Sequence, residues 1–262
     1  MTVIGTEPPR KLNFLATSNA EELIRRCWKT ALLLPELANA LAVHKADRPG
    51  RLFDITDYPE DDRELIAHML GEGEVAGVAM LENGITAQMQ EAVMAGVWRI
   101  RFTAAGDRLV GDYIEVGSVP AAVRRASSRL PVSIGHGAAP AGAMNVMPVL
   151  TEISDRITHH RDGDPAHVIN FLLFPMSPED MAFLQYSLGV GPVRLTSRGY
   201  GTCRIVATGT RNVWSLQSYN AMGTIILDTL EICDIPSAAI AAEEDFHDSA
   251  VRLSEMEEVY FK

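Results

Sequence analysis

Basic side chains are in short supply in this sequence. Its 262 residues carry 23 Lys and Arg against 34 Asp and Glu, a formal charge of −11, and no Lys/Arg-rich run of five or more occurs. A nucleic-acid binder neutralises phosphates with a basic stripe, so that class is set aside. An acidic balance favours solubility, or a partner that presents positive charge. The deficit is uneven: residues 1–130 hold 15 basic and 18 acidic side chains, whereas residues 131–262 hold 8 and 16. Cysteine is scarce too. Cys27, Cys203 and Cys233 form no CxxC pair, which argues against a disulfide framework or a cysteine zinc site and suits a reducing compartment. No apolar run approaches the roughly 20 residues that span a bilayer. The opening "MTVIGTEPPRKLNFLA" lacks the apolar centre of a signal peptide, so the expected location is the cytoplasm, without stable membrane insertion. Phosphate-binding fingerprints are missing as well. Neither "GEGEVAG" nor "SRGYG" is GxGxxG or GxxxxGK[ST], and the first carries two acids, so no nucleotide or other cofactor is expected.

What is present is a globular composition, 47% hydrophobic and 22% charged, and a sequence that repeats itself. Val97-Trp98 recurs as Val213-Trp214, Ile114-Glu115-Val116 as Leu230-Glu231-Ile232, and Val119-Pro120 as Ile235-Pro236, all at one offset. Tyr58-Pro59 matches Phe174-Pro175 at that offset, and the Leu70–Val75 glycine pair matches Leu188–Val193 two residues out of step. Leu34-Pro35 pairs with Met147-Pro148. Collinear landmarks predict a duplicated unit of about 95 residues.

Each copy shows apolar residues at helical spacing, a short strand, a helix opening with acids, and then alternating strand-like segments such as "VWRIRFT" and "NVWSLQSY". Pro35 is expected in a first helical turn, and Ser177 with Asp180 has capping-box spacing. The predicted fold class is therefore α+β: two similar tandem domains, each helix-strand-helix followed by an antiparallel meander, with a long acidic C-terminal helix from Pro236 onward. The expected boundaries are an N-terminal segment 1–30, a first repeat 31–125, a Gly/Ala/Pro-rich linker 126–143, and a second repeat 144–262 that includes the final helix.

Several clusters could carry chemistry. "HHRDGDPAH" gathers His159, His160, Asp162, Asp164 and His167, but without metal-ligand spacing, and no metal is expected. Cys203 is followed by Arg204 and preceded by Arg198. Neighbouring cations make a thiolate easier to form, while a small apolar side chain at a strand start equally suits a core. Glu115 and Glu231 hold equivalent places in the two copies. They are read either as paired catalytic carboxylates or as structural groups held by an arginine or a backbone amide. Nothing forms a nucleophile–base–orienter set, so the chain reads as a binding protein rather than an enzyme.

The residues from Gly191 to Leu253, with "SRGYGTCRIVATG", "VW", "LDTLEI" and an acidic helix in order, resemble the HupH/HyaF family of [NiFe]-hydrogenase expression/formation proteins. "LGEGEV" at 70–75 and "VWRIRF…DYIEVGSVP" from Val97 to Pro120 extend the resemblance into the first half. The resemblance implies a maturation role: a chaperone-like accessory of an uptake hydrogenase. Its implied partners are the iron–sulfur small-subunit precursor before twin-arginine export and other maturation proteins, and a homo-oligomer is compatible with it. It brings no catalytic residue. It marks Ser197, Arg198, Gly199, Tyr200, Gly201, Cys203 and Arg204, with Trp214 and Glu231, as candidate partner-binding positions. The alternative kept open is a thiol-dependent enzyme or redox carrier using Cys203.

Overall fold

The computed structural model describes residues 24–199 and 201–261. Most of the expected N-terminal segment, together with Tyr200 and Lys262, lies outside them. The chain runs α1 (Trp28–Val43), β1 (Arg51–Asp54), α2 (Glu60–Leu70), β2 (Val75–Met80), β3 (Thr86–Glu91), β4 (Val97–Ala104), β5 (Arg108–Val116) and α3 (Ala121–Ser128). It continues through α4 (Val146–His159), β6 (His167–Asn170), α5 (Pro178–Leu188), β7 (Val190–Ser197), β8 (Thr202–Thr208), β9 (Val213–Tyr219), β10 (Ile225–Ile232) and α6 (Glu244–Phe261). Helices and antiparallel strands thus make an α+β molecule.

Local chemistry accounts for the element boundaries. Ser177 accepts the Asp180 amide at 3.0 Å, and the Asp180 carboxylate returns the bond to the Ser177 amide, closing the anticipated capping box. Three acids occupy the first turn of α2, where the helix dipole favours them. A buried aspartate in each of these helices also ties down the start of the helix before it. Asp180 accepts the amides of Asn145 and Val146 at 2.9 and 3.0 Å, and Asp62 accepts the amide of Thr30 at 2.8 Å. Pro35 falls inside α1 rather than in its first turn, because the helix begins seven residues earlier at Trp28. The helical bond lost there is offset by burial of Leu33, Leu34, Leu37 and Leu41.

All ten strands of the described residues lie in one antiparallel sheet, in the order β1-β5-β4-β3-β2-β7-β8-β9-β10-β6. Each half contributes a four-stranded meander, and β2 pairs with β7 to join them, from Val75 opposite Ser197 to Ala79 opposite Val193. The two segments anticipated as tandem units therefore share a sheet. They also share a core. Trp98, Ile100, Met89 and Ala87 of the first half pack in one cluster with Trp214, Leu216, Ile205 and Leu195 of the second, closed by Val123 of α3 and Ala239. Two further clusters lie at the ends. One holds α4 and α5 against β6 and β10 through Leu150, Ile153, Leu184 and Ile232. The other holds α1 and α2 against β5, and its remaining wall is α6.

That last contact sends the chain back across the molecule. Phe246, Ala250 and Leu253 of α6 are buried with Leu34, Leu37 and Leu41 of α1. Glu243, just before α6, accepts the Lys45 ammonium at 2.9 Å and the Ala46 amide at 2.8 Å. The helix begins at Glu244, later than the sequence pattern suggested, because Ser237–Ala239 form a separate short 3₁₀ turn. It follows the second meander in sequence and completes the core of the first. The segment anticipated as a linker is helical as far as Ser128 and irregular from there to Asn145.

At the seam, Gly77 of β2 lies so close to β7 that a Cβ would run into the Arg194 carbonyl oxygen and come within 2.8 Å of Leu195 Cα. Backbone cannot give way as a flexible side chain does. Gly77→Ala is expected to destabilise the protein by about 1–3 kcal/mol, a fall of several degrees in Tm, while Gly137→Ala, with open space around it, stays near wild type. Thermal denaturation of the two variants checks this.

Candidate partner-binding site

The described residues of the "SRGYG" motif lie where β7 ends and β8 begins, at one end of the seam: Ser197 closes β7, and Arg198, Gly199 and Gly201 fall between the strands. Ser197 lies opposite both Val75 on β2 and Cys203 on β8, so the corner touches both halves. The Arg198 amide donates to the Glu74 carbonyl at 3.0 Å. A Cβ on Gly199 would meet the Glu74 carboxylate, the exposed end of a flexible side chain that can turn aside. Arg198, Gly199 and Gly201 are exposed at the tip, and Tyr200 lies outside the described residues.

Strand alternation separates the residues that follow. Cys203 packs half-buried against the central core, whereas Arg204 leaves the opposite face and lies over the Tyr219 ring, 5.6 Å from its centroid. The adjacent cation therefore does not sit beside the thiol. The other two thiols are buried, and desolvation first among the causes pushes Cys27 up to about 11 and Cys233 to about 12. An open depression of about 750 Å³ lies where the β7–β8 and β9–β10 hairpin tips meet, bordered by Gly201, Thr202, Arg204, Tyr219, Asn220 and Ile226. Tyr219, Asn220 and Ile226 did not stand out in the sequence, because only strand pairing brings them beside the motif. Trp214, by contrast, is 1% exposed and donates its indole N–H to the Asp234 carbonyl at 3.3 Å. It is core and presents no contact surface, and Trp98 does the same toward Gly117.

The repeated glutamates differ. Glu115 is opposite Trp98 and fully buried, and one carboxylate oxygen accepts the Ala121 amide at 2.9 Å where α3 begins. Burial pushes its pKa up to about 7, against the pull of that amide and of Arg124. Glu231, opposite Trp214, is only half-buried, and among the described residues nothing donates to it. Its pKa is also raised, by desolvation. Glu91, on the other side of Trp98, is pushed up to about 7 by burial. No acid/base partner completes a catalytic pair among these groups. The histidines are dispersed as well: His160 reaches Asp234 at 2.8 Å, His167 reaches Glu152 at 2.7 Å, and His159 bonds the Asp155 carbonyl at 2.8 Å. No group of three metal-ligating side chains occurs among the described residues. None of their helices is long and apolar enough to cross a membrane.

What the geometry offers around the motif is a surface of hairpin tips and strand ends. Comparison with known proteins places it. The family model for the HupH hydrogenase expression protein, C-terminal conserved region, matches twice, over residues 28–136 and 143–260. The chain belongs to the HupH family of hydrogenase expression/formation proteins. It is 76% identical over 267 residues to the hydrogenase expression/formation protein HupH of Rhizobium leguminosarum bv. viciae, covering the whole chain and 95% of that protein. It is 42% identical to the hydrogenase expression/formation protein HoxQ of Azotobacter vinelandii, over 86% of this chain and 80% of that one. To the hydrogenase-1 operon protein HyaF of Escherichia coli K12 it is 35% identical, over 85% and 74%. The solved hydrogenase expression protein HupH from Thiobacillus denitrificans aligns with a TM-score of 0.40 at 25% identity, over 43% of this chain and 93% of that one.

Two measurements follow. Trp214→Ala is expected to cost about 3–5 kcal/mol in urea unfolding, and Arg204→Ala less than about 0.5 kcal/mol, separating the core position from the surface one. Glu91 and Glu115 have folded pKa values above their ordinary ones. Their contribution is therefore fully present below about pH 4.5 and is lost as pH rises through about 7. Tm is expected to decline over that window, by the equivalent of roughly 3 kcal/mol per group, and Glu115→Gln to flatten the decline.

Proposed function

We propose that this protein is a chaperone-like accessory of uptake [NiFe]-hydrogenase assembly that works in the cytoplasm without a cofactor and holds the iron–sulfur small-subunit precursor before twin-arginine export. Family membership carries the reading, since relatives that align over most of the chain are themselves named hydrogenase expression/formation or hydrogenase operon proteins. The surface supports it. Glu244, Asp245, Asp248, Glu255 and Glu258 of α6 remain exposed, so the helix shows solvent an acidic face. Such a face attracts a segment that begins basic, raising encounter rate, while apolar contacts supply affinity. The duplicated organisation is part of this reading: two related halves, of which the second carries the "SRGYG" corner, with the exposed residues Arg198, Gly199, Gly201 and Arg204 as contact positions.

The test is capture of the purified small-subunit precursor, with and without its leader, at two salt concentrations. The expected result is binding that depends on the leader and weakens at high salt. Equal binding of both forms removes the leader from the proposal. Cys203→Ser is expected to leave hydrogenase maturation intact, and loss of maturation with binding retained would favour thiol chemistry instead.

A further inference from the structure

We infer that the outer edge of β10, with the loop after β6, is a docking surface for an extended apolar segment that carries a lysine or arginine. The inference deepens, and rests on, the reading of this chain as a binder of an incompletely assembled precursor.

The two ends of the sheet are built alike and finished differently. At one end β1 pairs with the C-terminal half of β5 and stops, and the Ile55 amide then donates to the Asp112 carbonyl at 2.9 Å. At the other end β6 pairs with Thr229–Ile232 and stops, and the Phe171 amide donates to the Asp228 carbonyl at 2.9 Å. Asp112 stands opposite Arg101 on β4, and Asp228 opposite Gln217 on β9, so the two aspartates hold the same place.

Their surroundings diverge in two ways. Asp112 is buried and neutralised by a forked pair with Arg99, at 3.1 and 2.7 Å. The position of Arg99, two residues before Arg101, is filled on β9 by Ser215, two residues before Gln217. Asp228 keeps only the Gln217 amide, at 3.3 Å, and no cation of the described residues pairs with it. Arg204, two strands away, is engaged over Tyr219. The loop changes as well. After β1 the chain reads Ile55-Thr56-Asp57-Tyr58, and the Thr56 hydroxyl bonds the backbone of Asp112. After β6 it reads Phe171-Leu172-Leu173-Phe174, with Leu173 83% exposed. On β10, past the Phe171–Asp228 bond, Ile225, Ile226 and Leu227 are exposed in succession, beyond the reach of β6.

An apolar strip beside a carboxylate stripped of its arginine suits an occupant that supplies apolar side chains and the missing cation. A second copy of this chain fits poorly. At −11 the copies repel one another, and the bulge at Ile226 interrupts the ladder that edge-to-edge pairing would extend.

The experiment is fluorescence anisotropy with the full chain and a short labelled peptide of leucine and alanine with one central arginine, alongside a peptide with glutamine in its place. The expected result is saturable binding to the wild type, weakened about tenfold or more by Leu173→Glu and by Ile226→Glu, both surface changes whose folding circular dichroism can check. Asp228→Asn should weaken the arginine peptide about tenfold and leave the glutamine peptide unchanged. Absence of saturable binding, or binding indifferent to all three substitutions, overturns the inference. So does a dimer in light scattering that Leu173→Glu dissolves, since the edge would then belong to a second copy. If the three variants still capture the small-subunit precursor as the wild type does, this surface falls and the proposed function stands. If the peptide results hold and no precursor is captured, the function falls and the surface stands.

Discussion

The ladder between β2 and β7 is the interaction on which the rest of this structure depends. Among the described residues it is the one place where backbone hydrogen bonds join the two meanders, and it turns two four-stranded units into a continuous sheet. Once β2 and β7 are neighbours, the faces of both meanders contribute to one central core, and Trp98 and Trp214 come to rest in the same cluster. The close approach at Gly77 shows how tightly the seam is drawn. The "SRGYG" corner inherits its place from the same ladder, because Ser197 is the last residue of β7 to pair across it.

The C-terminal helix works in the same direction. Its apolar stripe is buried against α1, and the carboxylate before it is bonded to Lys45 and Ala46. A chain that follows the second meander thereby finishes the core of the first, so neither half is complete without the other. This arrangement leaves the acidic side of α6 in solvent. A net negative protein thus presents its charge on a helix that is itself fixed in place, where it can attract a basic segment without first ordering a flexible tail.

The differences between the halves carry more functional information than their likeness. Where both halves keep a residue together with its partner, as with the tryptophans and their bonded indoles, the role is packing. Where they part, charge is redistributed. Asp112 has Arg99 and Glu115 has the start of α3, while Asp228 and Glu231 have lost the corresponding partners. An unpaired carboxylate near a surface is tolerable because water solvates it, and it remains available to a cation from outside.

The helices and strands, the repeated landmarks and the capping box at Ser177 were legible in the residues, because periodicity, capping and turn chemistry act over a few positions at a time. So was the acidic character of the last helix. The sharing of a sheet through β2 and β7 was not legible, since pairing between strands far apart in sequence leaves no local signature. Nor was the return of α6 to α1, because an apolar stripe states that it must be covered and not by what. The separation of Cys203 from Arg204 follows from strand alternation once the strand is known, and burial then placed Trp214 inside. By itself the sequence determined the elements, the family and the imbalance of charge. The tertiary structure decided which surfaces remain open, because exposure is a property of what packs on a residue and not of the residue alone.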